Sequence, residues 1–162
     1  MTDTALTTWL WFDTEGEDAA RFYTGIFKDA RMGPVSRYGD AGPRPAGLAM
    51  VVEFELNGQK FAALNGGPEH HISAESAAIS FSIPCADQDE VDYYWERLTE
   101  GGQEVACGWL TDKYGLSWQV IPNAFGEMMR DPDQDKVQRV MAAMLKMTKL
   151  DVAGLQRAYD GR

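Results

Sequence analysis

Thiol and imidazole side chains are the groups in this sequence best suited to act directly on a substrate. Cys107 stands beside Gly108, and a cysteine nucleophile needs a nearby base to lower the pKa of its thiol. The histidines are the adjacent pair His70 and His71. Adjacent residues of an extended loop point to opposite sides, which disfavours a metal site on this pair. Whether either imidazole reaches Cys107 is open, and a buried structural thiol is the favoured interpretation.

A second group of residues alternates along the predicted strands, where residues two apart share one face. One register is uniformly apolar and predicts the face that carries the helices: Leu10, Phe12, Phe61, Ala63, Ile79, Phe81, Ile83, Trp118 and Val120. The opposite register mixes aromatic, hydroxyl, amide and cationic side chains, as small-molecule cavities do: Thr7, Trp9, Trp11, Lys60, Ala62, Leu64, Ala78, Ser80, Ser82, Ser117 and Gln119. We therefore predict a ligand site formed by Trp9, Trp11, Lys60, Ser80, Ser82, Cys107 and Gln119.

Most of these candidates also have a structural interpretation. The two tryptophans would serve equally as core packing, and Lys60, next to a hairpin turn, is typical of a solvated surface cation. A bridging water would satisfy the Gln119 amide as well as a ligand would. Asn65 stands at a strand exit, where an asparagine usually serves the turn itself, and Asp112 fits turn chemistry first.

The first half of the chain predicts the order β-α-β-β-β. Its aromatic and β-branched runs and one helical run lie at residues 6–12, 17–27, 30–38, 48–56 and 59–64. Asn57-Gly58 between the last two strands is a strong hairpin signal, because both residues tolerate positive φ.

The same order recurs in the second half. A strand is predicted over Ala77–Pro84, and a helix over Gln88–Thr99 that Asp87 caps and Gly101-Gly102 ends. Three further strands follow at residues 103–109, 110–112 and 116–121. Two modules of similar length therefore stand in tandem, with their centre near residue 70.

A helical tail follows these modules. Helices are predicted over 125–130, where Asp131-Pro132 ends the first, over 135–147, and after Asp151 as a cap. The middle helix has an apolar stripe: Val137, Val140, Met141, Met144 and Leu145. Core packing or a subunit interface is the favoured interpretation of this methionine-rich tail, and a partner-docking surface is the alternative.

Composition limits the class of protein. The 162 residues fit one domain, and a net charge of −10, from 15 Lys and Arg against 25 Asp and Glu, disfavours nucleic acid and anionic lipid as partners. No apolar run approaches the roughly 18 residues of a membrane helix, and the start lacks the pattern of a secretory signal. Cys85 and Cys107 are too few for a disulfide scaffold. We expect a cytoplasmic protein.

Several segments resemble the PhnB-like branch of the vicinal-oxygen-chelate superfamily (the glyoxalase, bleomycin-resistance and dioxygenase superfamily), a branch also named 3-demethylubiquinone-9 3-methyltransferase. They are 18–23 (DAARFY), 64–68 (LNGGP), 88–92 (QDEVD) with Trp95, and the long block 107–119 (CGWLTDKYGLSWQ), with similarity continuing through 141–150. The resemblance implies an α+β fold of two tandem βαβββ modules that form a curved eight-stranded cup, commonly in a homodimer. Here the modules would be 1–70 and 71–122 of a single domain over 1–162, with the helical tail at 123–162.

Metal-using members of the superfamily take ligands from the first and fourth strand of each module, as the resemblance implies. In this chain Thr7, Ala62, Ala78 and Gln119 fall at those positions. Alanine has no donor, and hydroxyl or amide oxygens are weak ligands beside histidine and carboxylate. We therefore predict a metal-free cavity without a cofactor.

Two functions follow from these observations. The first is a metal-free protein that binds a small molecule, without nucleic acid or membrane as partner. The second is an enzyme acting on a small organic substrate, glyoxalase-like, dioxygenase-like or the methyltransferase of the family name. It would use either a metal held by residues outside the four aligned positions or Gln119, Cys107 and Asp112 as acid-base groups. No glycine-rich turn between a strand and a helix supports a methyl-donor site.

Overall fold

The computed structural model describes residues 6–73 and 78–162. The chain divides into two compact units, residues 1–72 and 73–162, and each contains a four-stranded mixed sheet with its helices. The predicted α+β class and the tandem β-α-β-β-β order are confirmed. Within the described ranges, no helix is long and apolar enough to cross a membrane.

Unit 1 follows the predicted order closely. Its elements are β1 (Thr7–Phe12), α1 (Gly16–Ile26), β2 (Ala30–Arg37), β3 (Ala49–Leu56) and β4 (Gln59–Asn65). The sheet order is β1-β4-β3-β2, with β1 parallel to β4 and the other pairs antiparallel. Asn57 and Gly58 have φ of 49° and 81°, so the predicted hairpin turn between β3 and β4 is confirmed.

Helix α1 covers one face of this sheet, which we call the helix face. Tyr23 is fully buried, and its ring stacks on Phe54 with centroids 6.1 Å apart. Phe54 in turn lies 5.2 Å from the ring of Phe61. Leu10 and Phe12 are buried on the same register. The apolar alternation therefore predicted the helix face of unit 1 correctly.

Asn65, at the end of β4, fixes the start of α1. Its side-chain oxygen accepts a hydrogen bond from the Gly16 N–H at 2.7 Å, and its amide donates to the Ala49 carbonyl at 2.9 Å. The Tyr38 hydroxyl donates to the Asn65 carbonyl at 2.8 Å. Glu15, at the helix N-cap, makes no side-chain capping bond. Asn65 thus caps α1 from the end of β4, in addition to any role in its own turn.

Unit 2 repeats the topology with shorter strands. Its elements are β5 (Phe81–Cys85), α2 (Gln88–Thr99), β6 (Gln103–Glu104), β7 (Trp109–Thr111) and β8 (Ser117–Pro122). The sheet order is β5-β8-β7-β6, with β5 parallel to β8. Helix α2 has the predicted bounds, and the Asp87 side chain accepts a hydrogen bond from the Glu90 N–H at 2.9 Å.

The predicted strand over Ala77–Pro84 is wrong at its start. Ala77 lies outside the described residues, and Ala78, Ile79 and Ser80 precede the strand, which begins at Phe81. Ile79 is 74% exposed, so it does not belong to the apolar face. The alternation of side chains predicted a strand here, but the pairing of β5 with β8 begins only at Phe81.

The strand predicted over 103–109 is also wrong, because it ends at Glu104. Cys107 and Gly108 both adopt left-handed backbone conformations, with φ of 62° and 81°. The Trp109 N–H donates to the Ala106 carbonyl at 3.2 Å. Two successive left-handed residues turn the chain, so β7 begins only at Trp109.

Asp112 organises the turn between β7 and β8. One carboxylate oxygen accepts hydrogen bonds from the N–H groups of Tyr114 and Leu116 at 2.9 and 3.1 Å, and the other accepts from the Trp118 indole at 2.8 Å. The residue is 2% exposed. The turn interpretation of Asp112 is confirmed, since the carboxylate is buried and engaged by unit 2 itself.

The tail consists of α3 (Asn123–Met128), α4 (Gln134–Met144) and α5 (Val152–Asp160). Met128, Val140, Leu150 and Leu155 form its buried core, against which Met129, Met144 and Met147 pack. Core packing therefore explains most of the methionine-rich stripe. Leu145 was expected on that stripe but is 62% exposed, because α4 ends at Met144.

The segment between α4 and α5 is held to the rest of unit 2 by backbone and amide hydrogen bonds. The N–H groups of Cys107 and Gly108 donate to the carbonyls of Met147 and Thr148, each at 2.8 Å. The Gln88 amide donates to the Leu150 carbonyl at 3.1 Å and accepts from the Val152 N–H at 2.8 Å. The tail is thus integrated into unit 2.

Candidate functional site

A groove of about 320 Å³ lies on unit 1. Strand register places seven of the lining side chains on the face opposite α1, which we call the groove face: Thr7, Trp9, Arg31, Glu53, Glu55, Lys60 and Ala62. Gly33, Pro34, Phe54 and Phe61 complete the lining. Four residues of the predicted alternating register therefore come together here: Thr7, Trp9, Lys60 and Ala62.

One row of cross-strand neighbours on the groove face is polar, and we call it the charged row. It consists of Thr7, Lys60, Glu55 and Arg31, one residue from each strand of the sheet. The Arg31 guanidinium and the Glu55 carboxylate form an ion pair at 2.7 Å. Lys60 is half-buried instead of a fully solvated cation, and it lies opposite Glu55.

The adjacent row, the tryptophan row, consists of Trp9, Ala62 and Glu53. Trp9 is 58% exposed, whereas Ala62 is buried beneath the groove. Glu53 is exposed on the far side of Ala62. Because alanine is small, the indole and the carboxylate stand on either side of an apolar floor. This arrangement can hold a flat group against Trp9 and a polar group beside Glu53.

Trp11 lies further along the groove face, next to Leu64 in register. Its indole N–H donates to the Gly67 carbonyl at 2.8 Å, and its ring makes a T-shaped contact with the His70 ring, with centroids 4.8 Å apart. A Cβ on Gly66 would stand 2.3 Å from the Trp11 ring. Trp11 therefore holds the segment after β4 in place by packing on a glycine that leaves room for it.

In unit 2, two predicted site residues meet directly. The Gln119 amide donates to the Ser80 hydroxyl at 2.9 Å. Ser82 is the register partner of Gln119 and is exposed. Ala78 is exposed ahead of β5 and outside the paired strand.

The strand registers of the two sheets change which residue of unit 2 corresponds to Thr7 of unit 1. In unit 1, Ala62 pairs with Trp9, which lies two residues after Thr7. In unit 2, Gln119 pairs with Ser82, which lies two residues after Ser80. Ser80, not Ala78, is therefore the counterpart of Thr7.

The side chains at the four positions that correspond to metal ligands in the superfamily do not suit a divalent ion. Thr7 and Ser80 offer neutral hydroxyl oxygens, Gln119 offers an amide, and Ala62 offers nothing. Throughout the part of the chain that the structure describes, no cluster of three or more His, Cys, Asp or Glu suits an ion. We accordingly derive no chemistry through a metal.

The thiols differ in their surroundings. Cys85 is fully buried, and burial raises the pKa of its thiol to about 12, with the charges of Glu90 and Asp87 acting in the same direction. Cys107 is half-buried in the turn before β7, not on a strand face. The Cys107 backbone N–H holds the tail to unit 2 through its hydrogen bond to the Met147 carbonyl.

Sequence reasoning missed the charged residues of β2 and β3, namely Arg31, Glu53 and Glu55. The signal was present, because Val52-Glu53-Phe54-Glu55-Leu56 alternates apolar and acidic side chains. Such alternation predicts one covered face and one polar face.

Comparisons with known proteins bear on this fold. The sequence profile of the 3-demethylubiquinone-9 3-methyltransferase family matches residues 4–121, so the helical tail lies beyond it. The PhnB protein of Bacillus cereus, which carries the same family name, is 31% identical over 72% of this chain and 98% of its own, with a TM-score of 0.65. No curated protein matches the chain.

More distant structures share the fold alone. A protein from Pseudomonas aeruginosa is 19% identical over 74% of this chain and 98% of its own, with a TM-score of 0.59. A gene product from Arabidopsis thaliana is 18% identical over 74% and 98% of the two chains, with a TM-score of 0.50. The family profile and the Bacillus cereus relative together show that the chain belongs to the 3-demethylubiquinone-9 3-methyltransferase family.

Proposed function

We propose that this chain binds a small organic molecule, without a metal ion, in the groove of unit 1. The observation that carries the proposal is the Trp9 indole, which is 58% exposed within a concave lining of about 320 Å³. Exposing an indole to water is unfavourable, and stacking a ligand on it recovers that cost. Pockets of this size commonly combine an apolar surface with a few polar groups.

The remaining predicted residues keep supporting roles in this proposal. Trp11 would extend the apolar surface of the groove face, and Lys60 would present a donor from the charged row. Ser80, Ser82, Gln119 and Cys107 remain proposed ligand contacts in unit 2. We further propose that residues 1–162 form a single domain and that the protein is a homodimer. We also propose a cytoplasmic location, because both cysteines are free thiols.

The enzyme alternative loses one of its candidate groups. Asp112 is buried, and both its oxygens accept hydrogen bonds from unit 2, so it is poorly suited to exchange a proton with a substrate.

Elemental analysis of protein purified without chelators tests the metal-free part of the proposal. Stoichiometric zinc, iron, nickel or manganese would contradict it.

Equilibrium dialysis against a mixed collection of small organic compounds tests binding itself. We expect the wild-type chain to retain a subset of the compounds and Trp9→Ala to weaken their retention at least tenfold. Leu145→Ala is the matched control, because it removes another exposed apolar side chain that lies on the tail. Equal retention by the wild type and both variants, or no retention at all, would overturn the proposed site.

A further inference from the structure

We propose that the groove of unit 1 selects organic cations that carry an aromatic ring, with the ring on Trp9 and the cationic group beside Glu53. This inference rests on the proposed function and adds a ligand class to it. It follows from the order of side chains in the tryptophan row and from the pairing of charges beside that row.

The tryptophan row sets the spacing between the two contacts. Glu53 pairs with Ala62 on β4, and Ala62 pairs with Trp9 on β1. Neighbouring strands are about 4.8 Å apart, so the Cα atoms of Glu53 and Trp9 are separated by roughly 10 Å. Ala62 is buried and presents only a methyl group between them. The gap suits one aromatic ring with a cationic group a short arm away.

Charge pairing in the neighbouring row makes Glu53 the acidic group open to a ligand. Glu55 already forms an ion pair with Arg31 at 2.7 Å. Lys60 lies opposite Glu55 and is itself engaged. Among the residues of 6–73 and 78–162, no ion pair joins the exposed Glu53 carboxylate to a cation. A ligand cation here would meet a carboxylate and the face of an indole together.

The rest of the molecule favours the same sign of ligand. A net charge of −10 raises the local concentration of cations and lowers that of anions near the surface. Binding should therefore weaken as ionic strength rises, because an exposed carboxylate is screened by salt.

Three probes of one skeleton test the ligand class: phenethylammonium, neutral 2-phenylethanol and anionic 3-phenylpropionate. Their affinities are measured by NMR titration of the full chain, following the indole N–H signal that is missing in Trp9→Phe. We expect phenethylammonium to bind at least five times more tightly than either other probe. Glu53→Gln should remove that preference, and Glu96→Gln, which makes the same charge change on an exposed position of α2, should preserve it.

The outcomes separate this inference from the proposed function. Equal affinities for the three probes, a preference for 3-phenylpropionate, or an unchanged preference in Glu53→Gln would overturn the cation assignment while leaving a binding groove. Failure of all three probes would also overturn it, even if dialysis retained other compounds. If dialysis also retained nothing, the proposed function would fall with it.

Discussion

The two units share one topology but differ in the lengths of their strands and in the elements added to them. In unit 1 the strands of β1 to β4 have 6, 8, 8 and 7 residues, which gives a wide sheet with one face covered by α1 and the other lined by Trp9 and charged groups. In unit 2 the strands of β5 to β8 have 5, 2, 3 and 6 residues. Unit 2, whose sheet is smaller, has in addition a turn organised by the buried Asp112 carboxylate and a helical tail with its own apolar core. A repeated fold can thus keep its strand order while one copy presents an open groove face and the other adds a buried polar turn and a helical tail.

The largest effect is expected where unit 2 depends on a single polar side chain. Asp112→Ala should lower the free energy of unfolding by about 3 to 5 kcal/mol, because three N–H donors lose a buried acceptor. Urea denaturation followed by circular dichroism measures the change. Asp40→Ala, in an exposed turn of unit 1, is the control and should change stability by less than about 0.5 kcal/mol. Similar losses in the two variants would contradict the structural role of the Asp112 carboxylate.

An intermediate effect is expected from the two helix caps, because each unit starts its helix differently. Asn65→Ala should cost about 2 to 3 kcal/mol, since it removes the cap of α1 and a buried bond to the Ala49 carbonyl. Asp87→Ala should cost about 1 kcal/mol, because it removes an exposed cap of α2. The same denaturation assay compares them. A larger loss for Asp87→Ala would reverse the assignment of Asn65 as the stronger anchor.

The smallest effect is expected at alkaline pH, and it belongs to unit 2, which contains both cysteines. Burial raises the pKa of Cys85 in the folded chain to about 12, above its ordinary value of 9.0. The stabilising contribution is full below pH 9 and declines as pH rises toward 12, because the unfolded thiol ionises first. At pH 10 the loss should be about 1 kcal/mol. Cys85→Ala should show a flatter dependence of unfolding free energy on pH, and an identical slope in both chains would contradict the shift.

Much of the fold was predictable because local signals and tertiary structure agree. Short stretches of sequence were enough to predict three features correctly: the Asn57-Gly58 turn, the Asp87 cap and the buried face of β1 and β4. The errors lie where partners distant in sequence decide the outcome. Whether Ala78 to Ser80 form a strand depends on what β8 offers as a neighbour, and Cys107 adopts a left-handed conformation that its residue type disfavours.

The candidate site was less predictable than the fold. Alternation placed Trp9, Lys60 and Ala62 on one face, as the structure has them. The acidic side of the groove was not predicted, because the predicted ligand register covered only the first and fourth strands of each module, whereas Glu53 and Glu55 lie on the third strand of unit 1. Side-chain pairing between strands also decides which carboxylate has a partner, and no pattern within one strand contains that information.

The hydrogen bonds from Cys107 and Gly108 to the carbonyls of Met147 and Thr148 have a consequence for biosynthesis. Unit 1 contains all its pairing partners within residues 1–72 and can form its sheet while the chain is still growing on the ribosome. Unit 2 must wait for Leu150 and Leu155 to emerge before its core is complete. A nascent chain arrested shortly after residue 122 would therefore present a finished first half beside an unfinished second one, the state in which chaperones have the most exposed apolar surface to bind.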